Sequence, residues 1–91
     1  MLMEIKYTTK FRKQYRKADK KIKSAFAQTL ELLLTDTHNP FLRNHTLKDK
    51  YAGYRNIDVT DDWRAVFKET KLGEKTLYLF HMLGTHKELY G

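Results

Sequence analysis

Between Tyr54 and Leu83, three β-patterned runs follow one another with no connection longer than five residues. Tyr54–Val59 is the first. Trp63–Thr70 alternates Trp63, Ala65 and Phe67 against Arg64, Val66 and Lys68, and Thr76–Leu83 is almost continuous in Leu, Tyr, Phe and Met. Thr60-Asp61-Asp62 and Lys71-Leu72-Gly73-Glu74-Lys75 carry the residue types that turn a chain. Connections this short join antiparallel neighbours, because a parallel return needs a crossover of a dozen residues or more. The second half of the chain is therefore a meander.

The first half reads differently. Leu2–Tyr7 alternates Met3, Ile5 and Tyr7 against Glu4 and Lys6, the period of a strand. Thr8 and Thr9 can cap a helix in which Phe11, Tyr15 and Ala18 make a narrow apolar stripe. Asp19 can cap a second helix, with Ile22, Phe26, Leu30 and Leu33/Leu34 at helical spacing, ending over Thr35–Asn39 before Pro40. Segment 41–53 reads as irregular, and the tail after Leu83 is too short to carry a core. The predicted order is β-α-α-β-β-β, an α+β domain with a helical hairpin packed on a twisted antiparallel sheet. A chain of 91 residues fills one core, so residues 1–91 are expected to form a single domain. Six Tyr, five Phe and one Trp supply the apolar surface to drive its folding.

Charge is concentrated. Residues 6–23 hold nine Lys or Arg against one acid, Asp19, while residues 24–91 balance nine against nine. A basic block of this kind attracts polyanions and raises encounter rates with acidic partners. No apolar run approaches a membrane span and the start lacks a secretory h-region, so the expectation is a cytoplasmic chain with no leader and no membrane partner.

The chain has no Cys, which removes disulfides, thiolate metal sites and a Cys nucleophile together. The four His, at 38, 45, 81 and 86, show no ligand spacing, so neither a metal nor a small-molecule cofactor is expected. What remains for chemistry is a set of polar residues after position 44: His45, Arg55, Asp58, Asp62, Arg64, His86 and Tyr90. If the tail returns beside the meander, His86 approaches Asp62 and Arg64. An imidazole, a carboxylate, a guanidinium and a phenol then share one cleft. That set suits phosphodiester cleavage by the 2′-hydroxyl of the RNA itself. Imidazole can serve as base or acid near neutral pH. A permanently charged Arg stabilises the phosphorane oxygens, and an aromatic ring can stack on a splayed base.

Gly53-Tyr54-Arg55, Asp62-Trp63-Arg64 and the tail Gly84-Thr85-His86-Lys87-Glu88-Leu89-Tyr90-Gly91 closely resemble the RelE/ParE toxin superfamily, and within it the YafQ-like mRNA interferases. Asn44-His45-Thr46-Leu47-Lys48 and the basic first helix fit as well, so the resemblance covers essentially the whole chain. It implies a metal-independent, ribosome-dependent endoribonuclease that enters the 30S A site, cuts mRNA there and leaves a 2′,3′-cyclic phosphate. It also implies a cognate antitoxin protein. On this resemblance His45, Asp62 and His86 take the acid/base positions, Tyr90 an aromatic position near the substrate, and Arg64 the scissile phosphate. Asp58 stands where that branch carries His, and Met82 where it often has Arg. Arg55, Lys48, Lys50 and Trp63 are then expected to contact RNA, with Arg12, Lys13 and Arg16 forming the ribosomal footprint. Two other readings stay open at this point: a ParE-like toxin of DNA gyrase, which shares the fold but needs no imidazoles, and a basic RNA-binding module without catalysis.

Overall fold

The computed structural model describes residues 2–91. Leu2–Tyr7 forms strand β1, followed by helices α1 (Thr9–Lys17) and α2 (Lys20–Thr35). Both helices begin at the predicted caps. The Thr8 hydroxyl accepts the Phe11 N–H at 3.0 Å, and the Asp19 carboxylate accepts that of Ile22 at 2.9 Å. Each satisfies an N–H that helix geometry leaves without an internal partner. Ala18 is extended, so α2 folds back at once. A 3₁₀ turn, Pro40–Leu42, leads into the two-residue strand β2 (His45–Thr46) and a second 3₁₀ turn, Asp49–Tyr51. Then come β3 (Arg55–Asp58), β4 (Trp63–Leu72), β5 (Lys75–Thr85) and helix α3 (His86–Tyr90).

The sheet order is β1-β5-β4-β3-β2. β3, β4 and β5 are the antiparallel meander that the short connections require. The turn between β4 and β5 is tighter than the sequence suggests, with Gly73 at φ 63°. The expectation of a wholly antiparallel sheet needs one correction. β1 lies parallel to β5, Leu2 opposite Lys75 and Tyr7 opposite Phe80. No tight turn joins these two strands; the helical hairpin and the rest of the meander lie between them, so nothing imposes a reversal. β2 and α3 are also additions, the one in a stretch read as irregular and the other in the tail.

Alternation along the strands sorts the side chains onto two faces. Ile57, Ala65, Phe67, Tyr78, Phe80 and Leu83 pack with Phe11, Ile22, Phe26 and Leu33 of the helices. Phe80 is central, its ring 5.3–5.9 Å from those of Tyr7, Phe11, Phe26 and Phe67. On the other face Val66, Met82 and Leu89 form a smaller cluster, backed by Leu47, Tyr51, Tyr54 and Tyr90. A β-bulge makes this possible: Phe67 pairs with Phe80, but Val66 pairs with Met82, which leaves His81 as the extra residue. Phe80 and Met82 are two apart and yet lie on opposite faces.

α3 is only five residues long and is held at its start by a capping box. The Thr85 hydroxyl accepts the Glu88 N–H at 3.1 Å while the Glu88 carboxylate accepts the Thr85 N–H at 2.8 Å. Gly84 allows the close approach beneath it, because a Cβ there would stand 3.2 Å from Leu89 Cδ2. Among the described residues, no helix is long and apolar enough to cross a membrane.

Candidate active site

β2, β3, β4 and α3 enclose a cleft of about 390 Å³ on the sheet face away from the helical hairpin. Strand pairing sets Asp58 opposite Arg64, and alternation brings Asn56 onto the same face. Asp58 Oδ1 lies 3.1 Å from Arg64 Nε. Arg64 Nη1 also donates to the carbonyls of Thr60 at 2.8 Å and Trp63 at 3.0 Å. The guanidinium is thus fixed from several sides, and its side chain is only 15% exposed. Asp58 Oδ2 faces a second guanidinium, Arg43 Nε, at 3.6 Å; that side chain is 77% exposed.

Asn56 links this pair to the C-terminal helix. Its buried amide accepts the Tyr90 hydroxyl at 2.6 Å and donates to Asp58 Oδ1 at 3.4 Å. Burial pushes the Tyr90 phenol up to about 12, with Tyr51 adding to the effect and Arg64 working against it. The phenol therefore stays protonated near neutrality and its proton is committed to Asn56. Its ring is what Tyr90 offers to a ligand.

Two imidazoles complete the cleft. His86 opens α3; its N–H donates to the Asp62 carbonyl at 2.8 Å, and its ring centroid is 5.2 Å from that of Tyr90. His45 sits on β2 with Nδ1 2.7 Å from the Arg43 carbonyl. A carbonyl can only accept, so Nδ1 carries a proton, and in the neutral ring the lone pair is on Nε2.

The cleft thus brings together His45, Asp58, Arg64, His86 and Tyr90. Asp62 is placed differently: its carbonyl anchors His86, while its side chain is exposed on the turn and does not line the cleft. Trp63 is half-buried against the helix-side core. Arg55 pairs with Phe67 on that same side, and its Nε donates to Asn44 Oδ1 at 2.7 Å. Asn44 in turn donates to the Thr37 carbonyl at 3.0 Å, so Arg55 ties down the loop before β2. Lys48 and Lys50 line an adjoining hollow of about 300 Å³ that shares Leu47 and Tyr90 with the cleft. Arg12, Lys13 and Arg16 are exposed on α1, behind the sheet; Arg12 and Arg16 rim an aromatic-floored hollow beside Lys23. Sequence reasoning missed Arg43 and Asn56. Asn56 was signalled by its two-residue spacing from Asp58, whereas Arg43 lies in a loop with no period to read. Met82 is buried in the smaller cluster and brings no cation to the cleft. Among the described residues, no three His, Asp or Glu side chains gather as metal ligands would.

A profile of the family described as "Bacterial toxin of type II toxin-antitoxin system, YafQ" matches residues 3–91. The chain belongs to the YafQ family. It is 31% identical over 94 residues to the mRNA interferase toxin YafQ of Escherichia coli (strain B / BL21-DE3), covering 97% of this chain and 96% of that protein. The crystal structure of YafQ from E. coli BL21(DE3) superposes with a TM-score of 0.78 at 28% identity, over 98% of this chain and 99% of that one. YafQ in the E. coli DinJ–YafQ toxin–antitoxin complex gives 0.77 at 27% identity, over the whole of both chains. A YoeB/ParE toxin from Agrobacterium tumefaciens gives 0.77 at 16% identity, over 92% of this chain and 99% of that one, a likeness of fold alone. Asp58 is here an ion-pair partner of two guanidiniums, and Met82 is a core residue.

Proposed function

We propose that this YafQ-family chain is a ribosome-dependent mRNA endoribonuclease of the cytoplasm, inhibited by a cognate antitoxin. One observation carries the reading: two imidazoles and a fixed guanidinium line one cleft beside an aromatic ring. A gyrase poison has no use for that arrangement. The name of the E. coli relative supports the activity, and the DinJ–YafQ complex supports the antitoxin.

In the mechanism, His45 Nε2 takes the proton of the 2′-hydroxyl. The freed oxygen attacks the adjacent phosphorus, and the P–O5′ bond breaks as the cyclic phosphate forms. His86 gives a proton to the departing 5′-oxygen. Arg64 stabilises the charge that builds on the phosphorane oxygens, and its fixed position means little reorganisation at that moment. Asp58 holds the guanidinium in place through its ion pair, a role that suits a carboxylate. Asp62 positions His86 through its carbonyl. Expression without antitoxin is expected to arrest translation, with primer extension mapping cuts in translated mRNA. Intact mRNA in arrested cells would sink the reading, and gyrase cleavage complexes in its place would favour the ParE-like alternative.

The basic face of α1 lies behind the sheet, away from the cleft, and suits contact with ribosomal RNA phosphates. Arg12→Glu with Arg16→Glu is expected to weaken ribosome binding and to flatten its salt dependence by about one unit of log–log slope per lost contact. Cleavage on saturating ribosomes should keep its rate. Unchanged affinity would place the footprint elsewhere.

A further inference from the structure

The loop between α2 and β2 holds an anomaly. Four of the five Phe side chains are at most 3% exposed or fully buried in the helix-side core, but Phe41 is 86% exposed. The loop that carries it is nonetheless firmly built. Asn39 Oδ1 accepts the Phe41 N–H at 3.0 Å, and Leu42 is buried at 1% exposure. Asn44 is tied to Thr37 and Arg55. Arg43 takes the left-handed conformation, φ 47° and ψ 44°, which closes the turn and sends its side chain to Asp58. The backbone is thus fixed in a shape that presents one aromatic ring to solvent and one guanidinium to the cleft.

The surface around Phe41 is continuous with the cleft. A groove of about 570 Å³ runs from Phe41 along α2, past Gln28 and Leu32, to the β3–β4 turn, and it shares Arg43 and Asp58 with the cleft wall. On the opposite side the cleft shares Leu47 and Tyr90 with the hollow beside Lys48, Lys50 and Tyr51. A track therefore runs from the tyrosine ring through the cleft and round the edge at Arg43 and Asp58 to the phenylalanine ring on the α2 side.

We propose that Phe41 is a base-stacking subsite for the nucleotide on the side of the scissile phosphate away from Tyr90, with Arg43 receiving the intervening phosphate. The inference rests on the nuclease reading above. An RNA strand bound at His45, Arg64 and His86 continues past Arg43, whose long ion pair with Asp58 is readily exchanged for a phosphate oxygen. The next base meets the Phe41 ring, whose face is open. A ring of this kind accepts any base, so it adds grip rather than sequence choice.

The test uses the whole protein, ribosomes programmed with a defined mRNA, and mRNAs carrying an abasic residue at each position flanking the cut in turn. Phe41→Ala is expected to raise the half-saturating concentration of ribosome–mRNA complex about tenfold, the effect of losing one stack, with the saturated rate unchanged. Phe41→Trp should restore it. One abasic position should cost wild type the same factor and cost Phe41→Ala nothing more. An unchanged half-saturation in Phe41→Ala would overturn the proposal, as would losses that multiply at every abasic position. Loss of antitoxin affinity alone would assign the ring to a protein partner and overturn it too. If wild type cuts no mRNA on ribosomes, the nuclease reading itself has failed.

Discussion

His86→Ala is expected to slow mRNA cleavage by about 10²- to 10⁴-fold, the usual contribution of a positioned acid or base, while leaving the fold intact. The second half of that expectation follows from how His86 is held. Its imidazole is exposed, and its structural work is done by the backbone N–H that donates to the Asp62 carbonyl. Alanine keeps that N–H and favours a helix. The capping box of Thr85 and Glu88 is untouched. Cells should therefore tolerate the variant without antitoxin, primer extension should show few cuts, and circular dichroism should match wild type. Cleavage at the wild-type rate would remove His86 from the mechanism and leave His45 with water as the proton donor.

Phe80→Ala is expected to cost about 3–5 kcal/mol, the range for deleting a buried aromatic ring. Phe80 has no exposed surface and touches the rings of four neighbours contributed by β1, α1, α2 and β4. Their rigidity prevents collapse into the space left behind. A domain of this size has about 5–14 kcal/mol of stability in all, so the variant should melt some 15 °C or more below wild type. Differential scanning calorimetry reads this directly. Phe41→Ala supplies the contrast, since an 86% exposed ring contributes little to folding. A small loss at Phe80 would mean that the helix hairpin is not seated on the sheet as described.

Much of this architecture was legible in the residues. The caps Thr8 and Asp19, the hairpin of helices and the meander all arise from local patterns. The parallel partnership of β1 with β5 was not legible, because it joins residues more than seventy positions apart and no local signal encodes it. α3 could have been read from Thr85 and Glu88, whose spacing is that of a capping box. The site was legible in composition but not in arrangement. Arg64, His45, His86 and Tyr90 reach one cleft. Arg55 and Asn56 are neighbours, and strand alternation sends the first to Asn44 and the second to Tyr90. The carboxylate that lines the cleft is Asp58, on a strand, and Asp62 lends its carbonyl from the turn.

The extra peptide at His81 acts as a phase shifter for β5. Up to Phe80 the even-numbered side chains serve the helices; from Met82 onward they serve the other face, and the odd-numbered Leu83 takes over the helical side. One strand thereby supplies two separate cores and delivers His86 in step with the wall of the cleft. The address of the imidazole is written five residues upstream of it, as a single unit of backbone that no contact of His86 itself would disclose.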